Sequence, residues 1–337
     1  MNRHIALFYK SLSLFFFISL CLSCTKKDDV VQSEQKKSQI IVGFSQIGAE
    51  SSWRTGNTKS MKDAAEEEGI QLIYSNAEQK QENQIKAIRS FIVYRVDVIV
   101  FVPIVEDGWD NVLQEAKDAD IPVIVVDRKI KTASEDLYAG YIGENAVEEG
   151  RNAARFLLKK YSGWNNRKLT IAEIRGTDYS SVEEERHSGF NEIIKDNPQF
   201  SVIYSESGDF LRSRGKEIAE TILKENNGFK IKDMPIDIVF CHNDAMALGM
   251  IDVLHEHGIE TGKGITFVSI DAEQEAIDAL LSGDINCVVE CNPKSGPAVM
   301  NLAKKLVNHE SIPRCTYVEE KVYSEFDIPA DIQPRGY

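Results

Sequence analysis

The sequence lacks several features that mark common classes of protein. No spacing of cysteine and histidine is typical of a metal site, and no Ser-His-Asp set or glycine-rich phosphate loop stands out. Basic residues are also fewer than acidic ones. The chain has 39 lysine and arginine residues and 53 acidic residues, which gives a net charge of −14. An acidic surface argues against nucleic acid as a partner. We therefore expect neither a metal nor a cofactor.

The start of the chain carries only a short apolar segment. Residues 11–22, SLSLFFFISLCL, are too few to span a membrane, and they follow Arg3 and Lys10. A basic start before a short apolar segment is typical of a secretory signal peptide. We therefore predict that residues 1–23 are a signal peptide and do not belong to the folded protein.

Cys24 follows Ser23 as the cysteine does in a lipoprotein signal, although Cys21 stands where an aliphatic residue is usual. We predict that Cys24 is lipidated and anchors the protein on the periplasmic side of a membrane; an ordinary signal peptide with an incidental cysteine is the alternative. Residues 24–38 have little apolar content and are predicted to be a flexible tether. Within the tether, Lys27-Asp28-Asp29 weakly resembles the surface-export signal of some lipoproteins.

Beyond Cys24 the chain has four cysteines, which are Cys241, Cys287, Cys291 and Cys315. Cys287 and Cys291 on one strand would lie about 13 Å apart at ~3.3 Å per residue, too far to form a disulfide. We expect buried free thiols, and the sequence leaves a disulfide between other pairs open.

What the chain does contain is a repeated pattern of apolar strand, polar tip and helix. In Ile121–Arg128, IPVIVVDR, an unbroken β-branched run predicts a central strand of a parallel sheet, buried on both faces. Asp127 and Arg128 end this strand, where open α/β sheets bind ligands. The pattern runs to about residue 143 and then restarts. It predicts an α/β fold of two doubly wound parallel-sheet lobes joined by a multi-strand hinge.

Five stretches of the chain carry recognisable motifs, and they are VGFSQIGAESSWR (42–54), QKQENQIKAIRSF (79–91), EAKDADIPVIVVDR (115–128), SGDFLRSRGKE (207–217) and HNDAMALG (242–249). Taken together, they resemble periplasmic sugar-binding proteins of the ribose-binding type, the type I solute-binding proteins of ABC importers. HNDAMALG and IPVIVVDR are family-level motifs, whereas the first two stretches point to the narrower galactofuranose-binding branch. The resemblance covers about residues 39–337.

This resemblance implies a function in transport and a type I periplasmic binding protein fold. A monosaccharide, galactofuranose or a related furanose, would bind in a cleft between two lobes that close by a hinge. The closed protein, as a monomer, would deliver the sugar to a membrane permease and its ATPase. On this fold we place the first lobe at residues 39–143 plus 292–314 and the second at 144–291 plus 315–337, with residues 316–326 as a final strand.

The resemblance also implies ten sugar-binding residues, which are Gln46, Glu50, Trp53, Arg54, Asp127, Arg128, Arg186, Asn243, Asp271 and Glu290. Trp53 would stack on the apolar face of the sugar ring, and Arg54 would donate to its hydroxyls. Asp127 would accept from hydroxyls while the Arg128 guanidinium donates in a fork, which suits vicinal diols. The remaining polar side chains would bind further hydroxyls.

Each of these assignments has a structural alternative. Asp127 and Arg128 could form an internal ion pair, and Arg186 could pair with acids on its own helix. Asn243 or Asp271 could cap a helix N-terminus. The same alternatives apply to the loop residues, which could pack on their own lobe, and to Glu290, which could be a hinge acid without ligand contact.

Two other functions fit the same cleft, and one departure from the branch bears on the ligand. A sensory module would bind the same sugar but report to a membrane receptor. A glycosidase could use Asp127 with Asp271 or Glu290 as its acid pair, but no other catalytic motif supports an enzyme. Finally, Asp178-Tyr179-Ser180 replaces smaller residues of the branch, which places Tyr179 within reach of the cleft.

Overall fold

The computed structural model describes residues 39–164, 167–329 and 332–337. The predicted signal peptide, the lipidation site Cys24 and the tether lie outside these ranges. None of the helices in the described part of the chain has the length and apolarity that a bilayer span requires.

Two six-stranded sheets form the framework of the protein. The strands of the first sheet are β1 Ile41–Gln46, β2 Gln71–Asn76, β3 Val98–Phe101, β4 Val123–Val126, β5 Gly140–Gly143 and β13 Cys315–Tyr317. They are all parallel, in the order β13-β5-β4-β3-β1-β2. The apolar runs VIVF of β3 and VIVV of β4 are buried at every position, as the sequence of a central parallel strand predicts.

The second sheet repeats this arrangement with one antiparallel strand at its edge. Its strands are β6 Leu169–Arg175, β7 Phe200–Ser207, β10 Ile238–Cys241, β11 Thr266–Asp271, β12 Cys287–Glu290 and β14 Val322–Ser324. Their order is β14-β12-β11-β10-β6-β7, and β14 runs antiparallel to β12. A separate hairpin joins β8 Lys230–Ile231 to β9 Met234–Pro235.

Helices cover the faces of both sheets, and buried apolar side chains fill the space between the layers. The helices are α1 Ser52–Glu67, α2 Gln81–Tyr94, α3 Asp110–Asp118, α4 Ala146–Lys160, α5 Ser181–Ile194, α6 Arg212–Asn226, α7 Asp244–Glu256, α8 Gln274–Ser282 and α9 Gly296–Val307. We call the first sheet with α1, α2, α3 and α9 the first lobe, and the second sheet with α4 to α8 the second lobe. The predicted α/β class with two doubly wound lobes is confirmed.

The chain passes between the two sheets three times. The crossings follow β5, follow β12, and join β13 to β14. The prediction of one final strand over residues 316–326 is therefore wrong, because the two ends of that segment pair with different sheets. Residues 315–317 belong to the first sheet rather than to the second lobe, and the other lobe boundaries stay a prediction.

The four cysteines of the described chain are free thiols, as expected. Burial was predicted for all of them and is confirmed for Cys241, Cys287 and Cys291, whereas Cys315 is exposed. The reason is its position on β13, an edge strand with one neighbour, β5.

Candidate functional site

A small cavity lies between the two lobes at the carboxyl ends of their strands. Its volume is about 30 Å³, well below the ~300–1,000 Å³ range of ligand pockets, so the two lobes lie close together over this site. The first lobe contributes Glu50, Ser51, Trp53, Arg54, Asp127 and Arg128. The second lobe contributes Val182, Arg186, Phe210, Asn243 and Asp271. The cavity thus brings together eight of the ten residues that the sequence predicted.

Four charged side chains of the first lobe form a buried network at the cavity wall. Arg54 Nε lies 2.9 Å from Glu50 Oε1, and Arg54 Nη2 lies 2.6 Å from Asp127 Oδ2. Arg128 Nη2 lies 4.0 Å from the same Glu50 oxygen, and its Nη1 donates to the carbonyl oxygen of Ile104 over 3.0 Å. Arg54 therefore separates the two carboxylates and neutralises them in part.

Burial disfavours the charged form of both guanidinium groups, but the pKa of Arg54 is raised and that of Arg128 is lowered. Burial alone would lower the pKa of Arg54, but the nearby carboxylates of Asp127 and Glu50 raise that pKa above its ordinary value. Burial and the positive charge of Arg54 together lower the pKa of Arg128 to about 10, because the carboxylates of Asp127 and Glu50 offset them only in part. Both groups remain cationic at neutral pH and can donate to a ligand.

Two polar atoms of this network have no partner among the described residues. They are Arg54 Nη1 and Glu50 Oε2, whereas Asp127 Oδ2 is ion-paired with Arg54. Unpaired buried polar groups are rare in folded proteins. One donor and one acceptor on one wall of a cavity suit a ligand that carries hydroxyl groups.

The acids at the ends of β4 and β11 both have left-handed backbone conformations. The φ angle is +63° at Asp127 and +134° at Asp271. Such conformations are unfavourable for residues other than glycine, and they cluster at functional sites. At Asp127 the strain is held in place by two hydrogen bonds, from its N–H to Ile142 O over 2.9 Å and from Tyr141 Oη to its carbonyl oxygen over 2.7 Å.

The second lobe presents a single buried arginine to the cavity. Arg186 Nε lies 2.6 Å from Glu149 Oε2, on the neighbouring helix α4, and Arg186 Nη2 lies 3.7 Å from Asp271 Oδ1. The alternative of an ion pair along its own helix is therefore not what the structure shows. Burial raises the pKa of Asp271 well above its ordinary value, although the charge of Arg186 opposes this.

Asn243 lines the cavity, but both polar atoms of its side chain form hydrogen bonds within the protein. Its Oδ1 accepts from the N–H of Met246 over 3.0 Å and caps α7, while its Nδ2 donates to Phe210 O over 3.1 Å. The capping alternative therefore describes the contacts of Asn243. Its role in sugar binding stays a prediction.

Two of the predicted residues do not line the cavity. Gln46 ends β1, but its amide bonds to Asn57 Oδ1 and Thr58 Oγ1 of α1. Glu290 ends β12, and its carboxylate pairs with Arg335 and accepts from the N–H of Lys321 over 3.0 Å. Both side chains thus form internal structural contacts, Gln46 as a donor and Glu290 as an acceptor.

Tyr179 also differs from its expected placement. Its side chain is 74% exposed, so it faces solvent rather than the cavity.

Phe210 lines the cavity. It belongs to the stretch SGDFLRSRGKE, but no role was predicted for it from the sequence. The centre of its ring lies 5.2 Å from the guanidinium of Arg128 and 5.9 Å from that of Arg186, so it lies near a cation from each lobe. A Cβ atom at Gly176 would lie 1.9 Å from the ring. Gly176, in the stretch RGTDYSS after β6, is therefore the one sequence feature that indicates close packing of a large side chain at this position.

Residues 42–311 match the sequence profile of a family described as periplasmic binding protein domain. This match spans most of the chain. The chain belongs to the periplasmic binding protein family. The expected family resemblance and the fold that it implied are therefore confirmed.

Relatives within this family have known ligands. The chain is 42% identical over 267 residues to the galactofuranose-binding protein YtfQ of Escherichia coli, covering 79% of this chain and 81% of that one. A crystal structure from Mycobacterium smegmatis in complex with β-D-fucofuranose shares 41% identity and a TM-score of 0.81, with 85% and 92% of the chains covered. The periplasmic binding protein component of the arabinose ABC transporter from Shewanella sp. ANA-3, bound to L-arabinofuranose, shares 38% identity and a TM-score of 0.79, with 84% and 91% covered.

In this periplasmic binding protein, several hydrogen bonds join the two lobes across the cavity. The N–H of Trp53, in the first turn of α1, donates to Glu273 Oε1 of the second lobe over 2.8 Å, and Trp53 Nε1 donates to Cys291 O over 2.6 Å. On the other side, Lys129 Nζ lies 2.7 Å from Glu185 Oε1. These contacts hold the lobes in a closed arrangement.

Replacement of Glu273 by alanine is expected to weaken sugar binding by about tenfold, because one buried hydrogen bond to a charged group contributes ~1.5–3 kcal/mol. The loss should arise mainly from faster dissociation, since the carboxylate joins the lobes only when they are closed. Stopped-flow release of sugar measures this rate. Glu256→Gln, an exposed acid at the end of α7, is the control. An unchanged dissociation rate in Glu273→Ala would show that this contact does not hold the closed state.

Proposed function

We propose that this protein is the sugar-binding component of an ABC-type importer and that its ligand is a monosaccharide in the furanose form, galactofuranose or a close relative. The observation that carries the proposal is the pair of polar atoms at the cavity that have no partner among the described residues, Arg54 Nη1 and Glu50 Oε2, beside the ion-paired carboxylate of Asp127. The furanose form is supported by the ligands named for YtfQ and for the two crystal structures.

The ligand would be held by complementary groups from both lobes. Glu50 and Asp127 accept hydrogen bonds from hydroxyls, and Arg54, Arg128 and Arg186 donate to hydroxyl oxygens. Trp53 and Phe210 offer apolar surface to the C–H faces of the ring. A sugar that lacks one hydroxyl would leave a buried group unpaired at a cost of ~1–3 kcal/mol, so the site should discriminate strongly between stereoisomers.

Closure would couple binding to delivery. A sugar favours the closed form only to the extent that it binds this form more tightly than the open one. The closed form is the one that would dock on the permease and its ATPase. Family membership supports a periplasmic location, and we propose that lipidation of Cys24 anchors the otherwise soluble, monomeric protein to a membrane.

A binding protein fits the site better than a glycosidase. Glu290, one of the proposed acid partners of Asp127, does not line the cavity and is held by Arg335. A sensory module would use the same cleft, and neighbouring genes for a permease and ATPase, rather than for a receptor, would favour transport.

Calorimetric titration of the purified mature protein, stripped of ligand, tests the proposal. The panel contains a methyl galactofuranoside, L-arabinose, ribose, galactose and a methyl galactopyranoside that cannot open to a furanose. We expect tight binding of the galactofuranoside and no binding of the locked pyranoside. If none of these sugars binds, the sugar assignment is refuted. If the methyl galactofuranoside and the methyl galactopyranoside bind with equal affinity, the furanose form is refuted.

A further inference from the structure

Three polar side chains meet where the chain crosses between the lobes. Glu149 lies in the first turn of α4, Cys291 follows β12, and Glu320 lies between β13 and β14. Each therefore belongs to, or directly follows, a different one of the three crossings. We call these three residues the hinge cluster. These residues are far apart in the sequence and match no metal-site motif. They come together only because the fold places the three crossings side by side.

The geometry of the hinge cluster is that of a set of ligands. One carboxylate oxygen of Glu149, one of Glu320 and the sulfur of Cys291 all lie within 4.8 Å of one another. Glu149 is 1% exposed and Cys291 is 2% exposed. Ligand atoms bound to a common metal at 2.0–2.3 Å lie within such distances of each other.

Several oxygens in and beside the cluster have no partner in the protein. Glu149 Oε1 and Glu320 Oε1 receive no hydrogen bond. Glu144, at the first crossing, is 2% exposed, and its Oε2 is also without a partner. Glu144 is close enough to the cluster that its charge is a principal cause, after burial, of the raised pKa of the Cys291 thiol.

Acidic groups outnumber basic groups at this place. Within the described residues, the one cation bonded to the cluster is Arg186, whose Nε contacts Glu149 through the other carboxylate oxygen, Oε2. Three carboxyl groups thus lie near a single guanidinium that also lines the cavity. Burial and the neighbouring acids raise the pKa of Glu144 well above its ordinary value and that of Glu320 to about 11, so these two groups hold protons when no cation is bound. A bound cation would take over from those protons as the neutralising charge.

We propose that the hinge cluster binds a divalent metal ion of the zinc class. A cysteine sulfur together with carboxylate oxygens is a donor set that suits Zn²⁺, whereas magnesium and calcium prefer oxygen ligands alone. Arg186 binds the other oxygen of the Glu149 carboxylate and so orients this group, as partners of metal ligands commonly do. Glu320 is only partly buried and gives the ion a path from solvent. On binding, the Cys291 thiol and the Glu320 carboxyl group each release a proton to solvent.

The consequence for the protein is a stiffer hinge. Because the ligands come from all three crossings, the ion would link them and favour the arrangement of the lobes described above. Binding of the ion itself does not depend on the identity of the sugar.

The test is a calorimetric titration of the chelator-treated, sugar-free mature protein with Zn²⁺, in a Cys315→Ser background that removes the exposed thiol. We expect one ion per chain. Glu320→Gln and Cys291→Ser should each weaken Zn²⁺ binding by at least the ~10–100-fold that loss of an outer partner of a metal ligand costs. Glu319→Gln, an exposed neighbour of the cluster, is the matched control and should bind normally.

A second readout separates loss of binding from loss of folding. Zn²⁺ should raise the melting temperature of the parent and of Glu319→Gln, but not that of Glu320→Gln, which preserves the shape of the side chain. No saturable binding, or binding that both cluster variants retain, would overturn the proposal. In that case protons rather than a metal neutralise the carboxyl groups. Failure of the sugar panel would leave this result unaffected.

Discussion

Replacement of Asp127 by asparagine is expected to weaken sugar binding by about 30-fold or more. Asn keeps the shape of the side chain and tolerates the left-handed backbone at this position. The change removes the carboxylate that lies 2.6 Å from Arg54 Nη2 and leaves that buried guanidinium with Glu50 as its remaining partner. Removing one member of a buried charge pair costs ~2–5 kcal/mol, and each ~1.4 kcal/mol is a factor of ten in affinity.

Calorimetry with the galactofuranoside measures the effect, and Asp233→Asn provides the control, since Asp233 lies in the exposed turn between β8 and β9. Denaturant unfolding of the variant shows whether the protein remains folded. A folded Asp127→Asn protein that binds within threefold of the parent would mean that the network around Arg54 does not contact the sugar.

The second large effect is expected from Gly150→Ala, which is predicted to lower the free energy of unfolding by about 3 kcal/mol, the upper end of typical overpacking costs. Helices α4 and α5 approach so closely that a Cβ at Gly150 would lie 2.1 Å from Arg186 O. Gly189 makes the reciprocal contact, with its Cβ 2.0 Å from Val147 O. Since both obstacles are backbone atoms, the helices must separate to accept a methyl group.

The same separation should also reduce sugar affinity. Arg186 on α5 is held by Glu149 on α4 over 2.6 Å, and moving one helix away from the other displaces this arginine from the cavity. The matched control is Gly163→Ala, where a Cβ meets no atom within 4 Å. Denaturant titration and calorimetry together measure both effects, and an unchanged midpoint and affinity would contradict this account of the helix contact.

The ends of β4 and β11 show which parts of the site can be predicted from sequence. A polar residue at the end of a buried parallel strand lies at the carboxyl edge of the sheet, so Asp127, Arg128 and Asp271 were expected at the cleft, and all three line the cavity. The direction of a side chain at that edge depends on its neighbours. Gln46 and Glu290 also end strands, but Asn57 and Arg335 offer them closer partners.

The errors in the fold have a similar cause. Residues 316–326 were predicted to be one strand because local sequence does not show which sheet a residue pairs with. The change of partner, from β5 to β12, depends on strands that lie more than 30 residues away in the chain. The unassigned Phe210 adopts a φ of +59° in the loop after β7, which no pattern of hydrophobic residues indicates.

The late position of β13 and β14 has a consequence for the order in which the protein can acquire its structure. Synthesis proceeds from the N-terminus, and domains usually fold as they emerge. Here residues 315–324 supply an edge strand to each sheet, so neither sheet has its full set of strands before this segment has been made. Until then β5 and β12 are the unpaired edges, and edges of this kind promote aggregation. Both sheets therefore receive their last strand from one short segment, after all their other strands have been made.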